Sequence, residues 1–208
     1  MARDWGAGAP TAVRRADRAV EDDEWIRAAL DAAPYGTLAT AAAGQPFLNG
    51  NLFVYDRAAH AIYLHTARVG RTAANVDAAG MDGAAVCFGI FRMGRLLPAP
   101  EALEFSVEYE GVTVFGTAHR VGDRDEARRA LQLLLDRYAP HLRPDRDYRG
   151  VTDDELARTA VWRVDIEEWV GKRKSAPADF PGAFIYDPPA PAPPPPNDSV
   201  RDETPGGP

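Results

Sequence analysis

Cysteine is nearly missing from this chain of 208 residues: Cys87, in the apolar run AVCFGI, is the only one. That excludes an intramolecular disulfide and a thiolate metal cluster, and reads as a small buried hydrophobe. Histidine is sparse too, four scattered residues that do not suggest a metal cage. No uninterrupted apolar stretch reaches the roughly 18 residues of a membrane span. The first twenty residues carry Arg and Asp without a hydrophobic run, so a signal peptide is disfavoured as well and the cytoplasm is the expected location. Basic residues are outnumbered, 24 Lys plus Arg against 31 Asp plus Glu, a net charge of −7. A general grip on nucleic acid or anionic lipid is therefore excluded, and any anion site must be built locally. Also absent are a nucleophile elbow, a phosphate loop ending in Gly-Lys-Ser, paired histidines on a helix and a dinucleotide fingerprint.

What is there is a globular composition, 45% hydrophobic and 26% charged, with proline concentrated at one end. Nine of the 18 prolines follow Asp187 in a tail with almost no apolar residues, so residues 187–208 read as a Pro-rich disordered tail. Residues 1–20 read as a flexible N-terminal segment, and residues 21–186 as one folded domain.

Within that domain, EWIRAALDAA places Trp25, Ile26, Ala29 and Leu30 at helical spacing before Pro34. YGTLAT, FLNGNLFVYD and IYLHT follow as strands with connections too short for parallel crossovers. RVGRTAANVDAAG changes to a helical period, with Val69, Ala73, Val76 and Ala79 as its stripe and Gly80 as C-cap. AAVCFGI reads as a buried strand and Phe91–Ala102 as a loop at a binding mouth. LEFSVEYE and VTVFGTAHRV are expected to pair as a hairpin about Gly111. Asp123 and Glu126 are placed as a capping box for a helix whose apolar stripe is Ala127, Ala130, Leu131, Leu134, Leu135 and Tyr138. A short helix, TDDELA, precedes the last strand, TAVWRVDIEEWVG. Six or seven antiparallel strands with peripheral helices make a mainly β, α+β domain closed as a barrel or sandwich.

The best local candidate for chemistry is HTARVGRTAAN, where a strand ends at His65 and a helix begins near Arg68. Arg68 and Arg71 lie three apart, and Thr66, Gly70 and Thr72 add hydroxyl or close-backbone capacity. These residues make either a phosphate cradle or a solvated first turn. EEWVGKRK is a second basic cluster, readable as an anion contact or as a solvated strand edge.

The order of these segments, from YGTLAT and GQPFLNGNLFVYD through AIYLHTARVGRTAANV and EFSVEYEGVTVFGTAHRV to VWRVDIEEWVGKRK, resembles the FMN-binding split-barrel proteins related to pyridoxamine 5′-phosphate oxidase. It is closest to the flavin-nucleotide-binding, nitroimidazole-resistance-like branch. The resemblance implies a six-stranded antiparallel split β-barrel, a homodimer with FMN in clefts at the interface, and flavin-dependent oxidoreductase activity on a small molecule such as a nitroaromatic or quinone. It assigns the phosphate to Thr66, Arg68 and Arg71, with Gly70 giving close approach and Asn75 a weaker contact. The ring would lie near Thr37, Leu38, Ala39 and Asn51, with Trp169 and Lys172 approaching from the last strand of the same protomer or its partner. Arg71 stands where many relatives have lysine, replacing a point charge by a bidentate fork. The substrate signature of the true vitamin B6 oxidases is missing near the C-terminus, which disfavours that reaction. Related split barrels hold haem, with His65 as the axial candidate here, or the deazaflavin F420 in place of FMN.

Overall fold

Alternating apolar residues in the strands and 3.6-residue stripes in the helices are realised as one sheet with four helices, in a computed structural model that describes residues 11–188. The chain runs β1 (Ala19–Val20), α1 (Asp23–Ala32), β2 (Gly36–Ala42), β3 (Gln45–Asn51), β4 (Phe53–Asp56), β5 (Ala61–Ala67) and α2 (Arg71–Asp77). It continues through β6 (Ala84–Leu97), β7 (Ser106–Arg120), α3 (Arg124–Tyr138), α4 (Asp153–Arg158), β8 (Thr159–Lys174) and β9 (Phe184–Ile185). The strand order is β3-β2-β6-β7-β8-β5-β4, every pair antiparallel, with β1 added to β8 and β9 to β6. Only Leu52 separates β3 from β4, so the two ends of this sheet are one continuous stretch of chain. This sheet of nine strands therefore closes as a barrel, split where β3 parts from β5; the expected count of six is met only by taking β3 with β4 as one strand and leaving out the two-residue β1 and β9.

Strand alternation sends one set of side chains inward. Leu38, Phe53, Phe88, Val112, Val114 and Trp162 are fully buried in the barrel core, joined by Ile26 and Leu30 of α1 and by Ala73 and Val76 of α2. A second core lies outside the barrel, where Ala127, Ala130 and Leu134 of α3 cover Val54, Ala61, Tyr63 and Val161. Helix ends are set by local chemistry. The Asp22 carboxylate accepts from the amides of Glu24 and Trp25 at 2.9 and 3.3 Å to start α1. Arg137 donates to the Leu30 and Ala33 carbonyls at 2.9 and 2.5 Å to close it. At α3 the Asp123 carboxylate accepts from the Glu126 amide at 2.7 Å, but the Glu126 carboxylate does not complete the expected box. It accepts instead from the Tyr63 hydroxyl at 2.7 Å and from Arg163 at 3.1 Å. The full capping box belongs to α4, between Thr152 and Glu155.

Several expectations are corrected. Phe91 to Leu97 is not a loop: β6 continues through it over fourteen residues, with a bulge between Met93 and Leu96. Gly111 is not a turn: β7 runs straight through it as one strand of fifteen residues, paired with Phe91 and Lys172. The glycine is needed because a Cβ there would come within 2.7 Å of the Phe91 ring and 2.9 Å of the Ile90 carbonyl. Val69 precedes α2 and is exposed, and the helix ends at Asp77, ahead of Gly80. The folded unit starts before residue 21, since Ala19 and Val20 pair with Lys172 and Gly171. Residues 1–10 and 189–208 lie outside the described residues. Among the described residues no helix is long and apolar enough to cross a membrane.

Candidate functional site

The split in the barrel concentrates polar side chains that elsewhere face solvent. Asn49 and Asn51 lie on the same face of β3 as the inward Leu38 of the paired strand, because Asn49 pairs with Leu38 and Asn51 with Gly36. Asn49 donates from Nδ2 to the Thr72 hydroxyl of α2 at 3.3 Å. Asn75, on the same helix and buried, donates to the buried Thr40 hydroxyl of β2 at 2.9 Å. These two bonds dock α2 against the sheet and engage Asn75 as a structural contact. Asn51 makes a long contact of 3.5 Å to the His65 carbonyl across the split, while its buried Oδ1 has no donor among the described residues. A buried acceptor without a donor is costly and uncommon in a folded chain.

Thr66 lies at the same opening. Its hydroxyl accepts from the Nε1–H of the fully buried Trp162 at 2.8 Å and donates to the Ala67 carbonyl at 2.9 Å. Arg120 closes over Trp162, its guanidinium 4.6 Å from the ring centre and bonded to Asp77. Beyond Thr66 the two arginines part company. Arg68 donates to the Ala157 carbonyl at 2.6 Å and lines a cleft of about 250 Å3 with Arg120 and Arg124. Arg71 opens α2 and does not line that cleft, and its side chain makes no hydrogen bond or ion pair among the described residues. Gly70, at φ +137°, has open space where a Cβ would stand.

The remaining sequence candidates fall on different surfaces. The Leu38 side chain is fully buried in the barrel, so strand parity removes it from any outer cleft. Thr37 and Ala39 face outward, opposite Gly89 and Cys87 of β6 and Gly50 and Leu48 of β3. Trp169 and Lys172 are separated by the same alternation. Trp169 packs against the barrel core and donates to the Asp23 carboxylate at 2.9 Å, with the His60 ring 4.7 Å away. Lys172 is exposed on the other face, beside Gly111.

His65 points outward from β5 at the edge of an apolar groove of about 530 Å3, between α3 and the segment leading to α4. Leu52, Leu131, Leu135, Tyr138 and Leu142 form its walls, with Arg149 and Glu155 at the rim, 2.8 Å apart. His65 is itself exposed, and partial desolvation beside these walls lowers its pKa from the ordinary value.

The model of the pyridoxamine 5′-phosphate oxidase family matches residues 22–173, which spans the barrel from α1 to the end of β8. The chain belongs to that family. No curated protein matches the sequence. Solved structures share the fold of this oxidase-family chain. The flavocytochrome Anf3 from Azotobacter vinelandii is 24% identical, covers 93% of each chain and superposes with a TM-score of 0.69. The FAD and heme binding protein from Mycobacterium smegmatis is 24% identical over 92% of this chain and 94% of its own, with a TM-score of 0.63. A candidate 5-nitroimidazole antibiotic resistance protein from Bacteroides thetaiotaomicron is 19% identical over 74% of this chain and 86% of its own, at 0.60.

The structure adds residues that sequence reading passed over. Trp162 and Arg120 organise the split, and Asn49 docks the helix that bounds it. The alternation of β8 marks Trp162 as inward, but only the pairing of β8 with β5 brings it to Thr66.

Proposed function

We propose that this member of the pyridoxamine 5′-phosphate oxidase family binds FMN at the split of its barrel, as a homodimer, and acts as a flavin-dependent oxidoreductase on a small molecule. The observation that carries the reading is the orphaned, buried Asn51 Oδ1 beside His65 and Thr66. The residues present fit the group: a buried acceptor suits a ring N–H, and Arg71, whose side chain has no partner among the described residues, suits a phosphate. A bound flavin would supply hydride or electron transfer, and the protein supplies orientation and electrostatics. Thr66 is held by Trp162 and orders the rim rather than the phosphate. Arg68 reaches an anion only by leaving the Ala157 carbonyl, so Arg71 has the larger role. Exposed Leu48, next to Ala39 on the outer face, supports a seam with a second copy.

The absorption spectrum of protein purified without added cofactor tests the reading, with the mass of the extracted cofactor separating FMN from F420. A two-band yellow spectrum is expected. Arg71→Ala should weaken FMN binding by about tenfold to a hundredfold, the worth of a charge-assisted contact, and Arg68→Ala by less. Unchanged FMN stoichiometry and affinity in Arg71→Ala overturns the assignment.

A second reading, haem binding, is favoured by the groove at His65. An exposed imidazole at the edge of a leucine-lined groove, with Arg149 at the rim for a carboxylate, fits a metalloporphyrin. Two of the fold relatives that align along nearly the whole chain are a flavocytochrome and an FAD and heme binding protein. A Soret band that disappears in His65→Ala supports this reading, and its absence after incubation with haem rejects it.

A further inference from the structure

A second group of arginines lies outside the split, where three elements meet at the surface. Arg68 follows β5, Arg120 closes β7 and Arg124 opens α3, and all three line one cleft of about 250 Å3. Its floor is apolar, made of Val121, Leu156 and the buried Ala127 and Val161. Positive charge is in excess there. Arg120 is matched by Asp77, to which it donates from Nε at 3.0 Å. Arg68 has only the Ala157 carbonyl, and forms no ion pair among the described residues. Arg124 meets Asp153 at 3.4 Å with both side chains largely exposed, and Arg128 shares that carboxylate at 2.8 Å. Asp123 is the one acidic residue lining the cleft among the described residues, and its carboxylate accepts from the Glu126 amide as the cap of α3. Neither Asn51, Thr66 nor Arg71 lines it, so the cleft is separate from the orphaned acceptor and from the phosphate contact proposed for Arg71.

We propose that this cleft binds a small phosphate monoester, with its phosphate received by Arg68 and Arg124 and its organic part laid on Val121, Leu156 and Val161. Arg68 holds the Ala157 carbonyl through Nη1 alone, so Nε and Nη2 remain as donors and no ion pair has to break for an anion to bind. Arg124 donates no hydrogen bond among the described residues, and its shared carboxylate leaves its fork available. Guanidinium groups arriving from separate walls suit a tetrahedral group with three outer oxygens. A carboxylate offers two oxygens in one plane and is satisfied by a single fork. The Ala157 carbonyl that fixes Arg68 and the Asp77 pair that fixes Arg120 set these groups before a ligand arrives, which lowers the ordering cost of binding. The volume lies below that of a drug-sized pocket, which limits the organic part to a few carbon atoms or one ring. The inference does not depend on a bound flavin.

Calorimetric titration of the purified full chain with phenyl phosphate, in phosphate-free buffer, tests the site, with inorganic phosphate and benzoate as comparison ligands. Wild type should bind phenyl phosphate about tenfold more tightly than either, since one lacks the ring and the other the third oxygen. Arg124→Ala should weaken binding about tenfold, and Arg124→Lys by less, because lysine keeps the charge and loses the fork. Arg71→Ala, which removes the proposed flavin phosphate contact, should leave phenyl phosphate affinity unchanged, so failure of the flavin reading and failure of this one are told apart. Equal affinity in wild type and Arg124→Ala, no binding by wild type, or benzoate or inorganic phosphate binding as tightly as phenyl phosphate overturns the proposal. So does displacement of phenyl phosphate by saturating FMN, since the cleft would then be the seat of the flavin phosphate.

Discussion

Two outer surfaces of the same barrel are finished differently. On β4, β5 and β8 the outward side chains Val54, Ala61, Tyr63 and Val161 are buried, because α3 lies across them with Ala127, Ala130 and Leu134. At the far end of β6 the outward side chains Phe91 and Met93 remain exposed, with Tyr35 beside them. Both surfaces are apolar. The difference is that α3 has an apolar stripe to offer the first, whereas the second is met by a short helix end and a cavity. Burial of the first contributes to folding stability, whereas the apolar area of the second stays exposed in the single chain.

Changes at the covered surface should therefore cost stability and changes at the open one should not. Leu134→Ala should destabilise by about 2–4 kcal/mol, read as a lower denaturation midpoint, because a buried leucine leaves both lost transfer energy and a void. Tyr63→Phe should cost about 1 kcal/mol, since the Tyr63 hydroxyl donates to Glu126 at 2.7 Å while Arg163 remains to satisfy that carboxylate. Spectrophotometric titration should also show Tyr63 ionising late, since burial and then Glu126 push its pKa up to about 12. Phe91→Ala should change stability by less than about 1 kcal/mol in the same denaturation assay. A loss equal to that of Leu134→Ala would break the comparison.

The smallest effect concerns the way the end of β6 is fastened. Arg95 donates to both Glu108 oxygens at 2.8 Å and to the carbonyls of Pro177 and Ala178 at 3.0 and 2.9 Å. The Glu108 carboxylate also accepts from the Ala176 amide at 2.8 Å. Arg95 first, and then the Ala176 amide, lower the Glu108 pKa from 4.5 to about 2. A depressed carboxylate pKa contributes stability above its ordinary value and loses it as pH falls through the folded value. Amide-exchange protection in residues 176–185 should thus be constant above pH 4.5 and decline between there and about pH 2, ahead of the amides under α3. Protection that is independent of pH across that interval would show that the segment is held by other contacts.

Much of the fold was legible because it depends on period alone. The stripe from Ala127 to Tyr138 predicts α3, and the alternation in YGTLAT and IYLHT predicts β2 and β5. The run from Phe91 to Leu97 was misread because glycine and arginine usually punctuate a strand. Here Gly94 sits within a bulged hairpin, and Gly111 makes room for a ring on the neighbouring strand. Parity could have shown that Trp169 and Lys172, three apart on one strand, face opposite ways, and that Leu38 points away from Thr37 and Ala39. The partners of Thr66 and Asn75 were not legible, because Trp162 and Thr40 are distant in sequence and meet them only through strand pairing and helix docking.

The sequence by itself determined that the chain forms antiparallel strands with helices outside them, cannot form an intramolecular disulfide, and resembles the pyridoxamine 5′-phosphate oxidase family. These follow from side-chain periodicity, composition and segment order, which are local properties of the chain. Only the tertiary structure decided that Asn51 is left with a buried acceptor at the split, that Arg68 is tied to α4 while Arg71 is not, and that Phe91 rests on two glycines. Each of these depends on the register between strands or on the seat of a helix. Register is fixed by the sum of many contacts along paired strands, so no short stretch of sequence specifies it.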